Sequence, residues 1–363
     1  MYAKQPKKVL ILNILDILRK YSDEEHRLSQ REIGEILKSQ YGMTVDRKAI
    51  RRNLSDLLEW GFPIEYSEAS RKIRVKDGDG QAKLDSHGQP LQDESTLLTG
   101  FYLEQKFTPG ELRLLIDGLL FSRHVPYSQC QTMVNKLEEL SNLYFRSRLG
   151  HISKPPVDQS DNKQLFLNIE LLDEAITSGR KVKFHYVEYG TDLRLHLRTR
   201  PDGSVRDYLI NPYQMAAQDG KYYLICNYDK YDNLSNYRVD RIQDIEILDL
   251  PIKPFESLPW AKGQALDLNT YMRQHPYMYT SETVRAKLRI ARFMISDVVD
   301  LFGKKISFSQ ETEDQVTLSL EANELSLEQF AKHYAPHVVV LEPQSLRDKV
   351  RDDLRRGAAA YED

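Results

Sequence analysis

Two arginines in one short segment are the residues of this chain whose type and spacing most directly indicate a binding chemistry. The segment covers residues 236–242 and carries Arg238 and Arg241, with Asp240 between them. Tyr, Val and Ile accompany the arginines, so we expect a buried strand. An unpaired buried charge is very costly, and each guanidinium group therefore needs a partner. Asp240 can pair with one arginine, and a bound anion could satisfy the other.

A second short run, rich in Tyr, Ile and Leu, covers residues 221–228, and seven turn-prone residues separate it from the arginine segment. Two such runs around a polar turn predict a β-hairpin. The hairpin resembles the WYL domain, a family named after a Trp-Tyr-Leu triplet. The triplet here is Tyr222-Tyr223-Leu224, with Tyr in place of Trp as a similar large aromatic residue with a polar tip. The family's arginine-bearing strand follows at residues 237–242.

Alternating segments before the hairpin predict further strands. Basic and apolar residues alternate over residues 181–186 and again over residues 191–200. With a return strand over 205–210 and the hairpin, the chain has about five short strands, preceded by a predicted helix over 165–177. This set predicts a small antiparallel barrel, and the resemblance implies that it is an Sm/SH3-like barrel.

Two interpretations compete for the basic face of this barrel. A solvated outer face is the expectation for Arg194 and Arg198, which lie near a hairpin. The alternative is a pocket for a nucleic-acid or nucleotide effector, because arginine combined with stacking aromatic rings binds single strands. The resemblance favours the pocket, since it implies a sensor domain. The predicted effector-binding residues are Lys183, His185, Tyr186, Tyr213, Tyr222, Arg238 and Arg241.

Four cations cluster in the first two turns of another predicted helix, which begins after Asp46 and ends at Gly61. Positive charges at a helix N-terminus oppose the helix dipole, so binding explains them better than a solvated face does. Arginine suits the recognition of guanine and phosphate. The residues predicted to bind DNA from this helix are Arg47, Lys48, Arg51 and Arg52.

The elements around this basic helix have the order of a winged helix-turn-helix domain. Amphipathic helices are predicted over residues 7–21 and 29–41, and residues 62–66 and 71–75 read as two strands around a polar turn. In such a domain the third helix enters the major groove. DNA contact and a solvated hairpin explain the basic residues of the wing equally well. These wing residues are Arg71, Lys72 and Arg74.

The overall composition is that of ordinary soluble domains, with 40% hydrophobic and 29% charged residues and a net charge of −3. The charge is uneven, because residues 1–76 carry a net +5 and the remainder a net −8. The two cysteines, Cys130 and Cys226, give no disulfide framework, which fits a reducing cytoplasm. No segment is long and apolar enough to predict a membrane span. We therefore expect a cytoplasmic protein.

The predicted protein is a multi-domain α+β chain. Residues 1–76 form the winged helix-turn-helix domain, and residues 77–150 form a linker with a helical spacer and dimerisation region. The WYL effector-binding domain occupies residues 151–250. Residues 251–363 comprise a linker and a ferredoxin-like domain, since their elements follow the order β-α-β-β-α-β. This last region resembles the C-terminal extension that follows WYL domains.

No nucleotide-loop, nucleophile-elbow or metalloprotease motif occurs in the sequence, so we expect no cofactor, no metal and no enzymatic activity. The predicted function is that of a bacterial-type transcriptional regulator. A homodimer would bind a double-stranded DNA operator and sense a nucleic-acid or nucleotide effector, such as single-stranded DNA or an oligonucleotide. One alternative is a WYL region that serves only protein interaction or oligomerisation. A nucleic-acid-processing enzyme is a third hypothesis.

Overall fold

The computed structural model describes residues 6–74, 92–122, 124–148 and 162–362, with the side chains of residues 7, 71–74, 92–95 and 146–148 outside the description. The chain forms two compact units. The first comprises residues 1–121 and 128–156, and the second comprises residues 122–127 and 157–363. The predicted mixture of helices and antiparallel strands is confirmed, and each unit contains both.

Three helices form the body of the first unit: α1 (Leu10–Tyr21), α2 (Gln30–Tyr41) and α3 (Arg47–Glu59). Each buries one apolar stripe in a shared core. Side chains cap the second and third helices. The Ser29 hydroxyl accepts from the backbone N–H of Glu32 in a capping box, and the Asp46 carboxylate accepts from that of Ala49. The Asp46 contact determines where α3, the helix with the four clustered cations, begins.

A long antiparallel hairpin follows, and it differs from the predicted one. Residues 64–66 and 71–74 are strand, as predicted, but the predicted turn between them is wrong. Instead, β1 (Ile64–Arg74) runs without interruption and pairs with β2 (Gln92–Leu103). The polar residues 67–70 suggest a turn, yet their backbone pairs with residues 96–99 of β2. A distant partner strand therefore overrides the local turn composition. The predicted linker or wing tip over 77–96 is strand from residue 92, and its residues 77–91 lie outside the described part of the chain.

The first unit ends in three further helices: α4 (Pro109–Leu120), α5 (Tyr127–Glu138) and α6 (Leu143–Arg148). Thr108 caps α4 and Pro109 occupies its first position, as predicted.

The second unit begins with α7 (Leu165–Ser178) and a six-stranded antiparallel sheet. The strands are β3 (Arg180–Tyr189), β4 (Leu195–Leu197), β5 (Tyr208–Gln218), β6 (Lys221–Asn227), β7 (Leu234–Arg238) and β8 (Ile242–Pro251). The sheet is curled, because β3 pairs with β4, β5 and β8, while β5 continues to β6 and then β7. The predicted hairpin is confirmed as the β6–β7 pair.

Two strand predictions in this sheet are wrong. The strand over 191–200 is reduced to β4, because residues 190–194 form a tight turn in which Leu193 has a φ of 60°. The arginine segment is not a single strand either. It leaves β7 after Arg238, forms a 3₁₀ turn over Val239–Arg241 and re-enters the sheet as β8. Val239 and Ile242 are both completely buried, and their spacing of three fits this turn.

The rest of the second unit follows the predicted order of elements. After α8 (Leu268–Gln274) the chain forms a four-stranded sheet with the spatial order β10-β11-β9-β12. Apolar side chains of these strands and helices share one core. The elements are β9 (Thr283–Ala291), α9 (Ile295–Phe302), β10 (Ser307–Ser309), β11 (Gln315–Asn323), α10 (Glu324–His333), β12 (Val338–Glu342) and α11 (Gln344–Ala359).

Candidate functional site

The cations of α3 form an exposed basic surface at the beginning of that helix. Arg47, Lys48, Arg51 and Arg52 are all exposed. The Nε of Arg47 donates to Oε1 of Gln30 at 3.1 Å, which ties α3 to the first residue of α2. The other three have no side-chain partner among the described residues, so their charges are available to an anionic ligand. The predicted wing residues Arg71, Lys72 and Arg74 lie in β1, but their side chains are outside the description.

In the second unit, Arg238 and Asp240 form the ion pair that the sequence suggests for one arginine. The guanidinium group donates from Nε to Oδ1 at 3.0 Å and from Nη2 to Oδ2 at 2.6 Å. Only 4% of the Asp240 side chain is exposed. A two-pronged contact of this kind is among the strongest hydrogen-bonded pairs, since the guanidinium fork matches a carboxylate.

Arg241 has no such partner among the described residues. Its Nε is buried and donates to none of them, while its guanidinium carbon lies 5.8 Å from the centre of the Tyr189 ring. Buried polar groups are nearly always hydrogen-bonded. An orphaned guanidinium N–H is therefore the kind of group that an anionic ligand satisfies, and the predicted anion at this arginine stays a prediction.

Two more arginines lie over tyrosine rings of the same sheet. The guanidinium carbon of Arg198 is 5.4 Å from the centre of the Tyr186 ring, and that of Arg206 is 4.8 Å from the centre of the Tyr208 ring. These are cation–π distances. The Nε of Arg198 also donates to Glu188 at 2.7 Å. Arg198 therefore has two side-chain contacts, whereas its position near a hairpin predicts a solvated side chain.

The rings beneath the arginines form one cluster, which we call the tyrosine cluster: Tyr186, Tyr208 and Tyr237. Their centres lie 5.1 to 6.0 Å apart. Burial raises the pKa of Tyr237 far above its usual value. Burial likewise raises the pKa of Tyr186, while the charges of Arg241 and Arg238 oppose that rise. The hydroxyl groups of Tyr186 and Tyr237 therefore stay protonated at neutral pH and can donate hydrogen bonds.

Arg238 and Arg241 also act together on Tyr223. Burial raises the pKa of Tyr223, and the positive charges of both arginines oppose that rise. Tyr223 is the direct cross-strand partner of Arg238 in the β6–β7 pair. The backbone N–H of Arg238 donates to the Tyr186 hydroxyl at 3.2 Å. These contacts place Tyr186 and Tyr223 next to Arg238, and Arg241 follows three residues later in the same segment.

The remaining predicted effector residues lie in other contacts. Lys183 pairs with Glu246 at 3.2 Å, and both ring nitrogens of His185 lie 3.1 Å from carboxylate oxygens. Both residues alternate along β3 with the buried Tyr186 and point away from it. The Tyr213 hydroxyl donates to the carbonyl of residue 253 at 2.8 Å, and the Tyr222 ring stacks on His124 at 5.9 Å. Of the seven predicted residues, the structure thus groups Tyr186, Arg238 and Arg241, and a role of the other four in binding stays a prediction.

Five residues of this surface were not singled out as effector contacts: Tyr189, Arg198, Arg206, Tyr208 and Tyr223. Arg198 and Arg206 face each other across the Pro201-Asp202-Gly203 turn, since the Arg206 N–H donates to the Arg198 carbonyl at 2.9 Å. The turn is visible in the sequence, and counting outward from it pairs the two arginines. Similarly, the hairpin register assigns Tyr223 rather than Tyr222 to the side of Arg238.

Fold and site together define a mixed α+β protein with a curled antiparallel sheet that carries arginines on tyrosine rings. A model of the WYL domain matches residues 168–247, and a model of the WCX domain matches residues 282–358. The chain therefore contains a WYL domain that is followed by a WCX domain. The resemblance seen in the sequence is confirmed.

Two solved structures are also similar to this chain. The proteasome accessory factor B/C (PafBC) of Arthrobacter aurescens has 15% sequence identity and a TM-score of 0.27, and the match covers 100% of this chain and 50% of that one. A CRISPR Cas-related protein has 13% identity and a TM-score of 0.36, with 100% of this chain and 88% of that one covered. The chain thus spans half the length of PafBC. No curated protein matches this chain.

Two further properties concern the described part of the chain only. None of its helices is both long and apolar enough to cross a membrane. Within the same residues, no group of three or more His, Cys, Asp and Glu side chains could hold a metal ion.

The buried ion pair leads to a prediction about stability. Replacing Asp240 with Ala leaves the Arg238 charge largely buried and unpaired, and breaking such a pair costs about 3 to 5 kcal/mol of the free energy of unfolding. Urea denaturation of the Asp240→Ala variant measures this loss. Asp232→Ala is the matched control, because Asp232 pairs with Lys253 on the surface, where a pair contributes about 1 kcal/mol or less. Equal effects of the two substitutions would contradict a structural role of the Asp240 pair.

Proposed function

We propose that this WYL-domain protein is a cytoplasmic DNA-binding transcriptional regulator. It acts as a homodimer and binds a nucleic-acid or nucleotide effector on the arginines and tyrosines of its WYL domain. The observation that carries the proposal is the exposed basic surface at the start of α3, in the same chain as a WYL domain with an unpaired buried guanidinium N–H. We assign the sub-folds as a winged helix-turn-helix, an Sm/SH3-like barrel and a ferredoxin-like domain.

The arrangement of the first unit supports duplex DNA binding. Three packed helices and a hairpin have the order of a winged helix-turn-helix. The cations occupy the N-terminal part of the third helix, the part of a recognition helix that contacts base edges. Their charges oppose the helix dipole, so they cost stability. Contact with phosphates and guanines compensates that cost, and Arg71, Lys72 and Arg74 would add contacts from the wing.

The second unit supports the binding of an anionic effector. Arg198, Arg206 and Arg241 each lie over a tyrosine ring. Arginines next to aromatic rings can bind phosphates while the rings stack against bases. A WYL region that serves only protein interaction would not require the buried Nε of Arg241 to lack a partner. We therefore place this alternative, and that of a nucleic-acid-processing enzyme, behind the effector site.

Exposed apolar residues on α4 and at Phe121, which directly follows it, support a homodimer. The exposed fractions of Leu114 and Phe121 are 74% and 70%, and Leu115 is also exposed. Leu114 and Phe121 are seven residues apart and share one face of the helix. A second copy of the chain with the same face is a suitable partner, because a two-fold axis brings each apolar face onto its equivalent. We propose that α4 contributes to the dimer interface.

The DNA-binding proposal predicts the effect of shortening the α3 arginines. We expect Arg51→Ala and Arg52→Ala each to weaken binding to duplex DNA from upstream of the protein's own gene by about tenfold or more, since one such contact contributes about 1 to 3 kcal/mol. Fluorescence anisotropy across a salt series measures the change. Arg19→Ala, an exposed arginine on α1, should leave binding unchanged. Absence of duplex binding by the unmodified protein, even at low salt, would refute the proposed regulator.

The effector proposal predicts that Arg241→Ala abolishes the response to the effector but preserves binding to duplex DNA. Short single-stranded oligonucleotides should alter duplex binding by the unmodified protein and no longer alter it in the variant, because the unpaired guanidinium group is gone. Duplex binding without oligonucleotide should stay the same. Arg194→Ala serves as the control, since Arg194 is exposed and lies near the turn before β4. Loss of duplex binding in Arg241→Ala would instead indicate a structural or DNA-contacting role.

The dimer proposal predicts that the double variant Leu114→Glu, Phe121→Glu is a monomer. Burying a Leu or Phe side chain contributes about 1.5 to 3 kcal/mol, and a charge at each position removes that gain. Analytical ultracentrifugation measures the state of the protein. Leu12→Glu changes an exposed leucine on α1 and should leave the dimer intact. A double variant that remains dimeric would exclude this face of α4 as the interface.

A further inference from the structure

The chain turns between the two arginines of the WYL site, and this turn determines how their side chains are placed relative to each other. Residues three apart in a strand point to opposite faces of a sheet. In a 3₁₀ helix there are about three residues per turn, so residues three apart return to the same side. Val239–Arg241 adopt this conformation, so Arg241 returns to the side of Arg238 around the axis of the turn. A site that uses both arginines therefore depends on the 3₁₀ turn.

Two asparagine side chains hold the backbone of this turn. The Nδ2 of Asn162 donates to the carbonyls of Asp240 and Ile242 at 3.0 and 2.8 Å. The Nδ2 of Asn168 donates to the carbonyls of Val239 and Ile242 at 3.4 and 2.8 Å. A turn that leaves the strand ladder exposes carbonyls that need donors when buried. Four side-chain hydrogen bonds supply them here.

Packing within α7 does not explain why residue 168 is an asparagine. It is completely buried within α7, on the same face as Leu165 and Leu172. Asparagine is a poor helix former, and a buried amide is costly unless it is hydrogen-bonded. An apolar residue would suit the packing of this face better. The presence of an amide at this position is explained by the two carbonyls of the turn that it reaches.

We propose that Asn162 and Asn168 are positioning residues of the effector site, which hold the 3₁₀ turn so that Arg238 and Arg241 contact the same ligand. The inference rests on the proposed effector function of the WYL domain. Without the two amides, the turn relaxes, and Arg241 swings away from the side of Arg238. The charges remain in the protein, but they no longer act on one ligand.

A double-mutant cycle tests this proposal in the full-length protein. The variants are Asn168→Leu, Arg241→Ala and their combination, and the probe is a fluorescent single-stranded DNA oligonucleotide. We expect Asn168→Leu to weaken binding by about tenfold, as the loss of one arginine contact does. The salt slope of the affinity should fall by about 0.7 per lost phosphate contact. Adding Arg241→Ala should then have little further effect, because residues that act as one unit are not additive.

The control separates positioning from general stability. Asn323 is also completely buried, and its Nδ2 also donates to two backbone carbonyls, those of Tyr279 and Ser281. Asn323→Leu should lower the free energy of unfolding but leave the oligonucleotide affinity and its salt slope unchanged. Asn162→Ala, which removes the other amide that donates to the turn, provides a second variant if Asn168→Leu does not fold. It should show the same non-additivity with Arg241→Ala.

The outcomes distinguish this inference from the function on which it rests. If the unmodified protein does not bind the oligonucleotide, the proposed effector function fails and the inference fails with it. If the unmodified protein binds but the effects of Asn168→Leu and Arg241→Ala simply add, the effector site stands and the positioning role is refuted. An unchanged salt slope in both asparagine variants would refute it as well.

Discussion

The contact between Arg238 and Asp240 is the interaction on which the WYL site depends. Asp240 is nearly inaccessible to water, and both of its oxygens accept from the same guanidinium group. Charges removed from water are tolerated only with this degree of pairing. Because Asp240 is occupied by Arg238, Arg241 has no acidic partner among the described residues, and its charge remains available. One carboxylate thus determines which arginine is paired inside the protein and which one is without an acidic partner among the described residues.

Local contacts explain which parts of the fold can be predicted from the sequence. The beginnings of α2, α3 and α4 depend on Ser29, Asp46 and Thr108, each of which bonds within three residues of itself. Such contacts leave a local pattern in the chain. β1 is different, because its partner β2 begins only at Gln92. No local pattern identifies that partner, and residues 67–70 therefore resemble a turn although they lie within a strand.

In the candidate site, too, some features can be predicted from the sequence and others cannot. The types of Arg238, Asp240 and Arg241 are enough to predict one ion pair and one free cation. Arg206 and Tyr208 could not be placed in this way, because they approach the site only through the pairing of β3 with β5. Tyr222 and Tyr223 look alike in the sequence, yet strand register gives them opposite sides. Sequence thus predicts the residue chemistry, whereas strand pairing determines which residues meet.

The 3₁₀ turn also divides the hairpin into a part that can vary in length and a part that cannot. The loop between β6 and β7 can gain or lose residues at low cost, since loop entropy grows slowly with length. One residue added between Arg238 and Arg241 would rotate the second arginine by about 120° around the axis of the turn. The three-residue interval is therefore a fixed dimension of the site, comparable to the spacing of ligands around a metal, and loop length can vary among relatives of this domain without altering it.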